Sequence, residues 1–161
     1  MRGEVYERII CYLKQNGASF RVVHHGPTRT SAESAEARGE ELRVGGKAIL
    51  MKVDDGFKLF VLSAARSIDS SKIKAFFRVK RLRFASPDEL LELTGLVPGS
   101  VPPFGSPILD LELYADVSIG LNERIAFNAG SLTDSVIMEA EDYLRLADPV
   151  IFDFSREARE K

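Results

Sequence analysis

The feature of this sequence that most constrains its fold is a pair of apolar stretches, KAILMKV (47–53) and FKLFVLS (57–63), separated by Asp54-Asp55-Gly56. Aspartate and glycine tolerate the positive φ angles that a tight hairpin turn requires. The segment therefore predicts two antiparallel strands joined by a short turn. Such a hairpin disfavours a doubly wound dinucleotide-binding fold, which is built from parallel strands.

Short helix and strand patterns alternate along the rest of the chain. Two helices have capping-box starts, with Thr30 and Glu33 in TSAESAEARG and with Ser86 and Glu89 in SPDELLELTG. The other helical patterns are EVYERIICYLKQNG, SSKIKAFFR and EDYLRLA, and the other strand patterns are SFRVVHH, KRLRFA, ILDLELYAD, RIAFNAG, DSVIMEA and DPVIFDF. We expect an α+β protein with a mixed, largely antiparallel, barrel-like sheet flanked by short helices.

Length and composition fit one domain spanning residues 1–161, with 153–161 expected to be a frayed, charged tail. Cys11 is the only cysteine, so an internal disulfide is excluded, and a cysteine cluster that could bind zinc is excluded as well. The sequence shows neither a signal peptide nor an apolar run long enough to span a membrane. These features predict a cytoplasmic protein with no membrane association, no cofactor and no metal.

The net charge of −2 conceals an uneven distribution of charge along the chain. Residues 66–83 contain seven basic side chains and one acid, whereas acids predominate after Glu139. The basic segment fits either a solvated helix and strand face or a surface that binds phosphates. Its candidate contacts to nucleic acid are Lys72, Lys74, Arg78, Lys80 and Arg81.

The loop LVPGSVPPFGSP (96–107) holds four of the seven prolines of the chain. Glycine lets a ligand approach the backbone closely, and proline fixes φ and removes amide donors. Such a loop can hold backbone dipoles against a developing oxyanion, or it can be a stiff connector. Both interpretations stay open on composition alone.

Few side chains show a pattern typical of catalysis. Lys47 opens a strongly apolar strand, where its ammonium must reach either water or an anion. His24 and His25 are adjacent, so in a strand they point to opposite faces and cannot readily share one metal ion. The segment GGKAIL lacks the first glycine and the Ser or Thr of a phosphate-binding P-loop.

Four stretches occur in an order that resembles the YbaK/prolyl-tRNA editing domain family: HHGPTRTSAESAEARG, GGKAILMKV, GLVPGSVPPFG and FNAGSLTDSVIMEAEDYLRLA. The resemblance covers residues 5–152. It implies a free-standing editing hydrolase that cleaves the ester of a mischarged aminoacyl-tRNA, typically tRNA for proline. It also implies a mixed, barrel-like sheet with flanking helices.

The resemblance assigns the candidate site residues. Lys47 matches the essential lysine of the family, and Gly99–Pro103 matches its G-x-x-x-P loop, which makes Lys47 and Gly99 the catalytic candidates. The substrate-binding candidates are His25, Thr30, Pro103, Phe104, Gly105, Asn128, Ala129 and Gly130. Ala48 stands where some members have asparagine, and Val23 stands where others have tyrosine, so the edited amino acid stays open among alanine, cysteine, serine and threonine.

We expect the Lys47 ammonium to bind a phosphate of the terminal nucleotides and the Gly99–Pro103 backbone to orient water or the substrate's 2′-hydroxyl. Met51, Phe104 and Val44 are the expected lining of a small pocket. The expected partners are mischarged tRNA for proline and prolyl-tRNA synthetase. The alternatives are a non-catalytic binding module of the same fold and a metal-dependent hydrolase that uses His24 or His25.

Overall fold

The structure, a computed structural model, describes residues 3–28 and 30–158. The helices are α1 (Glu4–Gln15), α2 (Ser31–Arg38), α3 (Ser70–Phe77), α4 (Pro87–Thr94) and α5 (Ala140–Ala147). The strands are β1 (Phe20–His24), β2 (Gly46–Val53), β3 (Gly56–Ser63), β4 (Arg66–Ile68), β5 (Leu82–Phe84), β6 (Glu112–Asp116), β7 (Arg124–Asn128), β8 (Asp134–Glu139), β9 (Val150–Phe152) and β10 (Ser155–Glu157).

The predicted hairpin forms the centre of the largest sheet. Strands β2 and β3 pair antiparallel from Gly46–Ser63 to Val53–Gly56, and Asp54 has the positive φ of 55° that the turn requires. The sheet has the order β5-β2-β3-β6-β9, in which β3–β6 and β6–β9 are parallel. The α+β class and the mixed sheet are therefore confirmed.

A second, antiparallel sheet has the order β1-β8-β7. A parallel bridge between Gly45 and Ala126 connects its β7 edge to the start of β2. Edge strands β5 and β9 do not pair with each other within the described residues, so the expected barrel-like sheet is open rather than closed. The bridge brings the end of β7 close to the start of β2, where the candidate site lies.

The main core lies between these sheets and the helices α1 and α5. The amphipathic α1 contributes Ile9 and Leu13, which are completely buried, and α5 contributes the completely buried Tyr143. The ring of Phe104 packs edge-on against Tyr143 and Phe127, with centroids 5.3 and 5.7 Å away. Through Phe104, the proline-rich loop is packed against this core.

The short strands β4 and β10 were not predicted from the sequence. Their pairing contradicts the expectation that residues 153–161 form a frayed tail. Phe154 is completely buried, and β10 pairs antiparallel with β4, so residues 153–158 are not frayed. The buried carboxylate of Asp116 accepts hydrogen bonds from the Phe154 amide (2.8 Å) and the Ser155 hydroxyl (2.7 Å), which anchors this end. Residues 159–161 of the predicted tail lie outside the described residues.

Both predicted capping boxes are present. Thr30 and Glu33 start α2, and Ser86 and Glu89 start α4, with Pro87 at the first helical position. These caps satisfy amide groups that the first helical turn leaves without partners. They fix where α2 begins, and with it which side chains of α2 face the site.

Candidate active site

A polar cavity of about 120 Å³ lies where α2, the start of β2, the proline-rich loop and the end of β7 meet. Lys47 and Gly99, the two predicted catalytic residues, both line it. The two remaining walls are α2, which contributes Ser34 and Arg38, and β7, which contributes Asn128. Four segments that are far apart in the sequence therefore meet around one small space.

The Lys47 side chain is partly buried and has no carboxylate or hydrogen-bond partner within the described part of the chain. Its backbone is fixed by the β2–β3 ladder opposite Leu62. Burial lowers the pKa of the Lys47 ammonium from its ordinary value, because desolvation penalises the charged form. An unpaired, partly desolvated cation in a cavity is suited to binding an anion.

The proline-rich loop is fixed on both sides of its G-x-x-x-P segment. The Gly99 carbonyl accepts a hydrogen bond of 2.6 Å from Asn128 Nδ2, and the Pro103 carbonyl accepts one of 2.5 Å from the buried Tyr143 hydroxyl. Gly99 has a φ of +88°, a conformation that side-chain-bearing residues rarely adopt. The loop thus has the rigid backbone expected from its composition.

Arg38, at the end of α2, is a cavity residue that the sequence analysis did not single out. It is only 8% exposed, and its Nε donates to Ser135 Oγ (2.9 Å) while Nη2 donates to Asn128 Oδ1 (3.1 Å). No carboxylate pairs with it within residues 3–28 and 30–158. Burial lowers the pKa of its guanidinium to about 10.

His25 and Asn128 meet at the hydroxyl of Ser135, which is completely buried. His25 Nε2 lies 2.9 Å from Ser135 Oγ, and Ser135 Oγ lies 3.1 Å from Asn128 Oδ1. His25 does not line the cavity, but it contacts the Ser135 hydroxyl, to which the cavity residue Arg38 also donates. His24 instead bonds through Nδ1 to the buried Asp134 carboxylate.

Several predicted substrate-binding residues lie away from the cavity. Phe104 is 1% exposed in the core, Ala129 is completely buried, and Pro103 uses its carbonyl to hold Tyr143. Gly130 faces Val5, and a Cβ added at Gly105 would lie 2.5 Å from the Leu111 carbonyl oxygen. These positions shape the backbone around the site. Thr30, in contrast, does line the cavity, where it also caps α2.

The expected pocket lining is corrected by the structure. Met51 is 1% exposed in a second apolar cluster with Phe60, and Val44 is 4% exposed against Ala126 and Ile137. Like Phe104, they are apolar residues close in sequence to the site whose side chains point into the core. The residues that actually line the cavity are mostly small and polar, including Thr28 and Ser34.

Only the C-terminal end of the basic segment, where β5 begins, lies at the far end of β2 from the cavity; its first residue, Arg66, follows the cavity residue Ala64 by two positions. Strand β5 pairs with β2 at Met51–Val53, four to six residues from Lys47, which is about 13–20 Å along a strand. Lys72 is paired with Asp153 and Arg81 with Asp54, whereas Lys74, Arg78 and Lys80 have no carboxylate partner in the described part of the chain. None of the cations of this segment lines the cavity.

Among the described residues, no three His, Cys, Asp or Glu side chains converge as a metal site would require. No helix within residues 3–28 and 30–158 is long and apolar enough to cross a bilayer.

The structure thus combines an α+β fold with a small cavity, two cations that have no carboxylate partner among the described residues, and a fixed glycine–proline loop. Comparison with known proteins identifies the family. The sequence profile of the aminoacyl-tRNA editing domain matches residues 25–146, and the chain belongs to that family.

Individual relatives agree with this assignment. The chain is 40% identical over 158 residues to the Multifunctional Ser/Thr-tRNA deacylase ProXp-y of Escherichia coli (strain K12), covering 95% of this chain and 94% of that protein. It is 37% identical over 101 residues to the proline–tRNA ligase of Shouchella clausii (strain KSM-K16), covering 63% of this chain and 18% of the ligase. A crystal structure described as a candidate trans-editing enzyme for prolyl-tRNA synthetase superposes with a TM-score of 0.83 at 26% identity, covering 97% of this chain and 99% of that one.

Proposed function

We propose that this protein is a free-standing aminoacyl-tRNA deacylase that hydrolyses mischarged tRNA carrying a small amino acid. The observation that carries the proposal is the Lys47 ammonium, which has no partner among residues 3–28 and 30–158 and lines one small cavity together with the fixed Gly99 loop. Membership of the editing domain family supports it, as does the deacylase named among the relatives. We further propose tRNA for proline as a substrate, prolyl-tRNA synthetase as the source of the error, and the cytoplasm as the location.

In this proposal the Lys47 ammonium binds a phosphate of the terminal nucleotides and so places the ester against the Gly99–Pro103 backbone. Water attacks the ester carbonyl, the bond from that carbon to the ribose oxygen breaks, and the proton lost by water ends on the ribose hydroxyl. An aminoacyl ester is reactive enough that positioning supplies much of the acceleration. In this proposal the step depends on positioning of the ester and the water rather than on a strong base.

The cavity wall favours serine and threonine among the four candidate amino acids. Thr28 Oγ1 and Ser34 Oγ lie 2.7 Å apart, and both side chains are buried in the wall. The pair has two hydroxyl hydrogens and one hydrogen bond between them, so one donor has no acceptor among the described residues and is available to a ligand. A hydroxyl on the substrate can both accept from this pair and donate to it. The name of the E. coli relative agrees with this preference.

We expect Thr28→Val and Ser34→Ala to reduce the preference for seryl over alanyl substrates about 10- to 100-fold. The physical reason is the loss of one buried hydrogen bond to the substrate hydroxyl. The measurement is kcat/KM for tRNA for proline charged with serine, threonine, alanine, cysteine or proline. Ser71→Ala, at an exposed position on α3, is the control. An unchanged serine-to-alanine ratio would contradict the assignment, and binding without turnover of any charged tRNA would favour the non-catalytic module.

We also propose that the basic segment binds the tRNA backbone mainly through Lys74, Arg78 and Lys80, which have no carboxylate partner among the described residues. Lys72 and Arg81 would make smaller contributions. Neutralising Lys74 or Lys80 to glutamine removes one phosphate contact, so the slope of log affinity against log salt concentration should fall by about 1 per contact. Arg81→Gln should have less effect because Asp54 already neutralises that side chain.

The measurement for this surface is tRNA affinity over a range of salt concentrations, with Lys14→Gln at the exposed end of α1 as the control. Equal slopes for the wild type and the Lys74→Gln/Lys80→Gln double variant would show that tRNA does not contact this segment.

A further inference from the structure

We propose that Arg38 is a second anion-binding residue of the cavity and binds, together with Lys47, the 5′-phosphate of the substrate's terminal nucleotide. This inference rests on the proposed function, since it names how the nucleotide end of the substrate is recognised. Arg38 lies within the stretch HHGPTRTSAESAEARG, but the sequence analysis assigned it no role; the structure places it in the cavity wall.

The hydrogen bonds of Arg38 leave most of its donors unused. A guanidinium carries five N–H donors. Nε uses its single hydrogen on Ser135, and Nη2 uses one of its two on Asn128. Both hydrogens of Nη1 are without an acceptor in the described part of the chain. The protein therefore fixes the plane of the guanidinium through one edge and leaves the other edge available.

The free edge of Arg38 opens into the cavity. No fully buried side-chain nitrogen or oxygen among the described residues lacks a hydrogen-bond partner, so the unpartnered Nη1 is reached by solvent. A Cβ placed on Gly45 would lie 3.5 Å from Nη1, and Gly45 lines the same cavity. Since the side chain as a whole is only 8% exposed, the cavity is the route by which solvent reaches it.

The positive charge of the cavity has no carboxylate partner in the part of the chain that the structure describes. Neither Arg38 nor Lys47 has a carboxylate partner within residues 3–28 and 30–158, whereas the exposed Arg124, for comparison, pairs with Glu40 at 3.0 Å. Burial lowers the pKa of both cavity cations, so each is held in an environment that disfavours its charge. A bound anion offsets the desolvation penalty on the charged forms of both side chains.

A phosphate fits this pair better than a carboxylate or a carbonyl oxygen. The planar fork of a guanidinium matches two phosphate oxygens, and an ammonium adds a point charge to the same group. Both cations line the same cavity of about 120 Å³, so a tetrahedral anion bound there lies in the field of both charges. The terminal nucleotide of an aminoacyl-tRNA carries such a group on its 5′ side.

The test compares two small substrates, the seryl ester of adenosine 5′-monophosphate and the seryl ester of adenosine. We expect the wild type to prefer the phosphorylated ester, and we expect Arg38→Met to reduce that preference in kcat/KM about 10- to 100-fold. A preference unchanged from wild type would overturn the proposal, because a purely structural defect lowers both rates together. Arg145→Met, at an exposed arginine on α5, is the control. If Arg38→Met does not fold, Arg38→Gln serves for the same comparison.

A binding measurement separates this inference from the proposed function. If the wild type hydrolyses neither ester, the deacylase proposal fails, and calorimetric titration with adenosine 5′-monophosphate and adenosine still tests the phosphate site. We expect Arg38→Met to weaken binding of the monophosphate at least about tenfold relative to adenosine. Equal weakening for both ligands, or none for either, would overturn the role of Arg38.

Discussion

Lys47→Met is expected to lower kcat/KM for a mischarged tRNA by at least about 100-fold while leaving the fold intact. The loss follows because a substrate that is no longer anchored at its phosphate is displaced from the Gly99 loop, and a displacement of about 1 Å can cost 10² in rate. The variant removes a partly desolvated charge that no carboxylate compensates among the described residues, so its melting temperature should equal or exceed that of the wild type. Deacylation kinetics and thermal unfolding measure the two effects.

The ratio of kcat/KM between wild type and Lys47→Met should fall as the pH rises. Burial lowers the pKa of Lys47, and only the protonated form attracts phosphate. The ratio of kcat/KM values is therefore largest below the lowered pKa of Lys47 and falls toward 1 as the pH rises through it. Ester hydrolysis without enzyme is measured in parallel and subtracted at each pH. Lys14→Met is the control, and wild-type turnover by folded Lys47→Met would refute the role of this lysine.

Phe104→Ala is expected to destabilise the protein by about 3–5 kcal/mol, the usual cost of removing a buried phenylalanine ring. Phe104 is 1% exposed and packs edge-on against Tyr12, Phe127 and Tyr143, so truncation leaves a cavity beneath the proline-rich loop. Chemical denaturation measures the free energy of unfolding. Phe84→Ala is the matched control, because that ring is 56% exposed on β5 and should change stability by less than about 1 kcal/mol.

The same position distinguishes a core role from the predicted role in substrate binding. Phe104→Leu keeps most of the apolar volume, and we expect its preference among charged amino acids to match that of wild type. A changed serine-to-alanine preference in a variant of near-normal stability would instead place this ring in contact with the substrate.

The elements that sequence analysis predicted are those fixed by local chemistry. Capping boxes at Thr30 and Ser86 and the turn at Asp54–Gly56 act over a few residues, so their patterns are visible in the sequence. The parallel pairing of β3 with β6 joins segments about fifty residues apart, and no local pattern specifies that partner. Strands β4 and β10 are three residues each, too short to show alternation.

The candidate site was predicted only in part for a related reason. The resemblance supplied Lys47, Gly99 and Asn128, and these residues do meet around one cavity. Arg38 ends a charge-rich helix, where an arginine normally faces solvent. The available signal was its spacing of four residues from Ser34, which places both side chains on the same face of α2. Recognising that this face is buried required the position of β8, which carries Ser135.

The bonds that run from Arg38 to Asn128 and from Asn128 to the Gly99 carbonyl join three walls of the cavity before any ligand arrives. Because the site is ordered before binding, little conformational entropy is lost when the ligand binds. The affinity then depends mainly on the free energy of desolvating Lys47 and Arg38. Rigid-body docking of the nucleotide end is therefore the expected mode of recognition, in place of induced fit.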